Sequence, residues 1–331
     1  MMKRIKLLSR LVFLSLMITA CGKKEVKANE AESLPVSKTE FKVIGYMFAS
    51  GDLLANSQKI DFSKITHLNI AFLNPDASGK FAPAAGLSEL TKKAHASNVK
   101  VIAAFAGGNP PEHLKDLLIP SKRKVLVDGL TQLTRTYDLD GIDVDLEGDF
   151  VNENYEAFVV DLSAALKKEG KLMTAAVATW NSAAYSNKAI ALFDLVNIMA
   201  YDHTGPWRKD QPGPHSTYEA AVADFNHWNI NRSIPSEKLV LGLPFYAYGF
   251  GNDIQESMNF GDLVTAYPGA EKADSWAVTG KGTFYYNGQP TIKKKVEFAM
   301  EKKAGGVMIW QLLGDASGTL SLLTTIHNTS R

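Results

Sequence analysis

Cysteine is all but missing from this chain of 331 residues: a single one occurs, Cys21. No disulfide can form within the chain, so its fold rests on packing rather than covalent staples. Charge imbalance is missing as well. Lys and Arg number 36 against 35 Asp and Glu, a formal net charge of +1. There is no basic stripe to follow a nucleic-acid backbone and no acidic tail. Internal repeats and low-complexity tracts are also lacking, which excludes solenoid architectures. Long apolar runs are scarce: "LVFLSLMITA", residues 11–20, stops after ten residues and gives way to polar sequence, too short to span a bilayer. What remains is 45% hydrophobic and 21% charged, an ordinary globular balance in a chain long enough for a full core.

The first twenty residues stand apart. "MMKRIKLLSR" carries four bases and no acid ahead of the apolar run, the pattern of a secretory signal peptide over residues 1–20. Cys21 follows "LMITA" directly and resembles a bacterial lipobox, which implies an acylated Cys21 at the mature N-terminus. The protein is then an exported lipoprotein held at a membrane, facing the periplasm or the cell surface. Without the four leader bases the acids slightly outnumber the bases. Residues 21–40, almost free of large apolar side chains, read as a flexible tether with a reach of roughly 25 Å. The folded domain is expected over 41–331.

That domain carries eight apolar, β-rich stretches: "FKVIGYMFAS", "ITHLNIAFL", "KVIAAFAGG", "DGIDVDLEG", "LMTAAVAT", "LVNIMAYD", "KLVLGLPFYAYG" and "GGVMIWQLLGD". Helical patterns separate most of them. "NYEAFVVDLSAALKKEG" puts Tyr155, Phe158, Val159, Leu162 and Leu166 on one face and closes on glycine. Several strands are apolar on both faces, as parallel strands covered by helices must be. Alternating strands and helices in this number predict an α/β fold, a single (β/α)8 TIM barrel. A doubly wound open sheet is the runner-up, but no Gly-rich phosphate fingerprint follows the first strand. Residues 250–304, rich in Gly, Asp and aromatics, predict a small β-containing insertion between strands 7 and 8.

The fourth stretch carries the chemistry. In "LDGIDVDLEGD", Asp143, Asp145 and Glu147 alternate with Ile142, Val144 and Leu146, so the acids share one face of a strand. In a barrel the apolar face meets the helices and the acids climb the interior toward the C-terminal rim, where barrel chemistry sits. Stacked carboxylates titrate as a coupled set, with at least one pKa raised into the range of a general acid. A metal site would need more carboxylate or His ligands at other strand ends, where only Asp202 appears. An ion-pair network would need inward Arg or Lys, which the strands hardly offer.

The spacing Asp140-x-x-Asp143-x-Asp145-x-Glu147 resembles the signature of glycoside hydrolase family 18, the chitinases and endo-β-N-acetylglucosaminidases. Further matches fall in order: Tyr46 in "GYMF", Phe72 in "NIAF", Met199 to Asp202 as "MAYD", then Trp207 in "GPW", Tyr246 in "GLPFYAYG" and Trp310 in "GGVMIWQ". The resemblance implies retaining, substrate-assisted hydrolysis that needs no metal or cofactor. In it Glu147 is acid and then base, and the substrate's 2-acetamido oxygen is the nucleophile. Asp145 holds the acetamido N–H, Asp143 shares charge with Asp145, and Tyr201 donates its hydroxyl to the acetamido oxygen. Tyr46, Phe72, Met199, Asp202, Trp207, Tyr246 and Trp310 would bind substrate, with the Trp310 indole as floor under the sugar. The implied partner is a GlcNAc-containing oligo- or polysaccharide, with chitin favoured over N-glycan cores and peptidoglycan; Asp140 leans toward chitin. A non-catalytic lectin-like protein is the rival of another class, opposed by the intact Glu147.

Some positions depart from the family pattern. Phe105 stands where a serine that helps hold the inner aspartate is usual, which predicts that Asp143 leans on Tyr46. Asn109 replaces a customary Trp, and Tyr248 a customary Arg. The short insertion predicts an open cleft and endo-type cutting. His203 is expected to be a solvent-exposed loop residue, and Trp180, Trp228 and Trp276 are assigned no role.

Overall fold

The computed structural model describes residues 40–331. The signal, tether and Cys21 assignments fall outside the described residues. Eight parallel strands close into a barrel: β1 (Lys42–Phe48), β2 (His67–Ala71), β3 (Lys100–Ala106), β4 (Gly141–Asp145), β5 (Leu172–Val177), β6 (Leu195–Ile198), β7 (Leu239–Pro244) and, after an insertion, β12 (Gly306–Trp310). β12 pairs with both β1 and β7 and shuts the ring, so no barrel strand keeps a free edge. Helices cover the outside, among them Leu87–Ala96, Arg123–Thr136, Tyr155–Lys168, Tyr218–Asn226 and Gln289–Glu301. The (β/α)8 expectation holds.

Alternation along each strand separates two apolar compartments. Ile142, Val144 and Leu146 join a large outer cluster with Phe158, Val159, Leu162 and Leu166 of the helix Tyr155–Lys168. Inside the ring a small cluster of Ile44, Tyr46, Ala71, Ala104, Leu195, Tyr201, Val240 and Met308 remains. The inner set leaves room for polar side chains among the apolar ones, and that room holds the acids.

The insertion is a four-stranded antiparallel sheet in the order β10-β11-β8-β9, built from β8 (Tyr246–Gly251), β9 (Ser257–Asn259), β10 (Ser275–Val278) and β11 (Gly282–Tyr285). "KLVLGLPFYAYG" is therefore two strands in two sheets rather than one. Pro244 has no N–H to continue the ladder, and the Phe245 N–H donates to the Trp310 carbonyl at 2.8 Å as a tie to β12. Beyond it the chain turns into β8.

A second correction concerns Phe105. It does not stand beside Asp143. Its register partner is Val144, it is fully buried, and its ring meets Phe158 edge-on at 5.6 Å between centroids. The neighbour of Asp143 on β3 is Ala104. Phe105→Ser is thus expected to cost on the order of 3–5 kcal/mol in denaturant unfolding through loss of a core ring, while leaving the pH profile of activity unmoved.

Candidate active site

The β4 acids occupy successive depths. Asp143 is fully buried and lines no open space. Its Oδ2 accepts from the Tyr46 hydroxyl at 2.7 Å, and its Oδ1 accepts from Thr174 Oγ1 and, at 3.2 Å, from Asn197 Nδ2. The expectation that Asp143 leans on Tyr46 is met, with Thr174 of β5 and Asn197 of β6 added. Both had a legible signal: each is a lone polar residue in an apolar strand, and Thr174 is the register partner of Asp143. Burial nevertheless outweighs these donors, and the Asp143 carboxyl is pushed up to about 6.

Asp145 lies one step higher, 4% exposed, and its Oδ1 has no hydrogen-bond partner. Desolvation, then the charges of Glu147 and Asp143, hold its pKa well above the usual carboxylate range. Glu147 sits just past the strand end, where burial and then the Asp202 charge push its carboxyl up to about 7. Gly108 leaves it space: a Cβ there would come within 3.3 Å of Glu147 Oε1. Asp145 and Glu147 face a cavity of about 580 Å³ at the C-terminal rim.

Aromatic side chains floor and wall that cavity. Trp310 stacks near-parallel on Phe72 at 5.6 Å and tilts against Tyr46 at 5.5 Å. Tyr201 lines the cavity, and among the described residues its hydroxyl finds only the weak acceptor Met308 Sδ at 3.7 Å. Gly242 makes room for that ring, since a Cβ would lie 2.9 Å from Tyr201 Cε1. Met199, Asp202 and Trp207 also line the cavity. Tyr246 does not: it lies behind Asp202 and donates its hydroxyl to Asp202 Oδ1. Its ring also meets Tyr201 edge-on at 6.2 Å between centroids, so it backs two residues of the cavity wall.

His203 is the exposed loop residue expected, with a further place at the site. It lines the cavity and its Nε2 is 2.9 Å from Oδ2 of Asp224, a buried acid on the helix Tyr218–Asn226. Trp180, left without a role, lines the cavity and is 74% exposed, the most exposed of the large apolar side chains. Its place three residues beyond β5 on the rim was the available clue. Trp228 is buried, and Trp276 stacks on Tyr267 in the insertion. Asp140 sits at the opposite end of β4, accepting from the Val101 N–H and contacting His95, a structural role. Asn109 is exposed and lines no part of the cavity. Among the described residues, no group of three or more His, Cys, Asp or Glu is arranged to hold a metal ion.

A closed parallel barrel with a carboxylate ladder rising to an aromatic-lined rim defines a class of glycosidase folds. Residues 42–315 match Glycosyl hydrolases family 18, and the chain belongs to that family. It superposes on the family 18 chitinase ChiB from the chitin utilization locus of Flavobacterium johnsoniae with a TM-score of 0.79 and 38% identity, over 88% of this chain and 94% of that one. A chitinase from Bacteroides thetaiotaomicron gives 0.74 and 28%, over 88% and 96%. Chitinase A1 of Niallia circulans is 25% identical over 93% of this chain but only 60% of its own length.

The raised carboxyls carry a stability signature. A carboxyl titrating higher in the folded state favours folding fully below its unfolded pKa near 4, and that contribution is lost as pH rises through the folded value. For Glu147 the loss runs up to about 7. Glu147→Gln is therefore expected to raise Tm by a few degrees at pH 8 and not at pH 4, read by thermal unfolding at both pH values.

Proposed function

We propose that this protein is a retaining chitinase-like glycosidase, cleaving β-1,4 linkages beside N-acetylglucosamine by substrate-assisted catalysis. The observation that carries this reading is the buried, unpartnered Oδ1 of Asp145 next to the raised carboxyl of Glu147. An acceptor left open in a desolvated site is costly until a donor arrives, and the acetamido N–H of a bound sugar is such a donor. Glu147, still protonated near neutral pH, gives its proton to the glycosidic oxygen. The acetamido carbonyl oxygen attacks the anomeric carbon while Asp145 takes the N–H and steadies the oxazolinium charge. Asp143, held by its three donors, sits below Asp145 and lets the pair share protons. The Tyr201 hydroxyl, with only a thioether to compete for it, turns to the acetamido oxygen. Glu147, now a carboxylate, activates the water that opens the oxazolinium on the same face, giving net retention.

Chitin is the substrate that the relatives favour, since the Flavobacterium johnsoniae protein is named for a chitin utilization locus. None of the cavity-lining residues comes from the insertion sheet, which supports an open cleft and internal cutting. Trp180 and Trp207, 74% and 61% exposed, offer flat faces for flanking sugars.

Chitooligosaccharides are expected to yield β-anomeric products at first, read by NMR, and Glu147→Gln to lower kcat by roughly 10²–10⁴. Equal turnover of glucose oligomers, which have no acetamide, overturns the mechanism. We propose in addition that Cys21 is acylated and anchors the enzyme to the envelope by the 21–40 tether. The Cys21→Ser protein is then expected in the soluble fraction, and its retention in membranes rejects the anchor.

A further inference from the structure

Asp202 is held in an unusual way for a residue whose charge bears on Glu147. Its backbone is left-handed, φ 63°, in a non-glycine residue. Such conformations persist where the surroundings over-determine them. One restraint is the Tyr246 hydroxyl on Oδ1. The other is His215, which is fully buried, with Nδ1 3.5 Å from the same Oδ1. Neither ring nitrogen of His215 makes a hydrogen bond. The ring lies against Tyr246 and Tyr248, with centroids 4.9 and 4.8 Å away.

The backbone around His215 is pinned on both sides of Asp202. The His203 N–H donates to the His215 carbonyl at 3.0 Å, and Ser216 Oγ donates to the Ala200 carbonyl at 2.6 Å. Ser216 is itself seized by Lys295, buried on the helix Gln289–Glu301, whose Nζ donates to its carbonyl at 2.9 Å and its hydroxyl at 2.7 Å. The charged or titratable groups facing His215 are thus Asp202, Tyr246, Tyr248 and Lys295. This dipeptide is built as a fixed mount, and its imidazole brings Nδ1 to 3.5 Å from Asp202 Oδ1.

We propose that His215 is a positioning residue: its uncharged imidazole, sealed behind Tyr246 and Tyr248, fixes the Asp202 carboxylate toward the cleft so that its full negative charge acts on Glu147. An imidazolium in that place would cancel the charge and favour ionised Glu147. Burial is the largest influence and opposes the imidazolium; Asp202 favours it and Lys295 opposes it, and the net direction is toward the neutral ring. A neutral ring nitrogen standing 3.5 Å from Oδ1 without closing a hydrogen bond steadies the carboxylate without neutralising it. The proposal rests on Glu147 being the acid, and its test is readable without substrate.

The test is carboxyl ¹³C NMR titration of Glu147 in wild type, His215→Phe and His215→Asn, with the pH profile of kcat/KM on a chitooligosaccharide beside it. His215→Phe keeps a ring but has no nitrogen, so the Glu147 midpoint and the alkaline limb should both fall by half a unit or more. His215→Asn puts an amide nitrogen close to Nδ1 and should restore most of that fall. An unchanged Glu147 midpoint in folded His215→Phe overturns the proposal. If that variant does not fold, ¹⁵N NMR of wild type decides: neutral imidazole with the proton on Nδ1 from pH 5 to 8 supports it, and imidazolium at pH 6 overturns it. A wild type that titrates as expected but hydrolyses no GlcNAc oligomer would sink the proposed activity and leave the role of His215 standing.

Discussion

Everything at the rim follows from taking carboxylates out of water on consecutive inward positions of one strand. Each loses hydration, and each raises the cost of ionising the next. The barrel meets this by depth. The lowest acid, Asp143, is given donors from three strands; the middle one, Asp145, is left with an open lone pair; the highest, Glu147, stands in the cleft under the influence of Asp202. A gradient of hydrogen-bond satisfaction becomes a gradient of roles. Stability is given up at Asp145, whose buried acceptor is uncompensated, and the large outer apolar cluster carries that deficit.

The barrel was legible because its signals are redundant: apolar alternation, helix faces and glycine stops repeat around the ring, so one misjudged boundary does not alter topology. The ladder was legible for a related reason, since acids at every second position admit few structural explanations. The site's supporting residues were less so. Thr174 and Asn197 announce themselves as single polar residues in apolar strands, yet their partner is set by register between strands, which one sequence does not display. Asp224 and His203 meet across a helix and a loop 21 residues apart, and nothing local foretells that pairing.

Motif position does not by itself give orientation. Phe105 was placed by counting along a motif, whereas the pleat decides which way a side chain points, and here it points to Phe158. Tyr246 was read as a substrate contact from the seventh-strand motif; the chain changes sheets at Phe245, and the Tyr246 hydroxyl is engaged by Asp202. Trp180 was passed over for the opposite reason: it lies in no motif, and only its place past β5 marks it.

The abrupt passage from β7 to β8 has one further consequence. With Phe245 alone between them, the accessory sheet grows directly out of the barrel staves, and Tyr246 and Tyr248 at its root are packed on the His215 mount. The aromatic root of the accessory sheet thereby becomes part of the wall that backs Asp202, although the sheet itself lines none of the cavity.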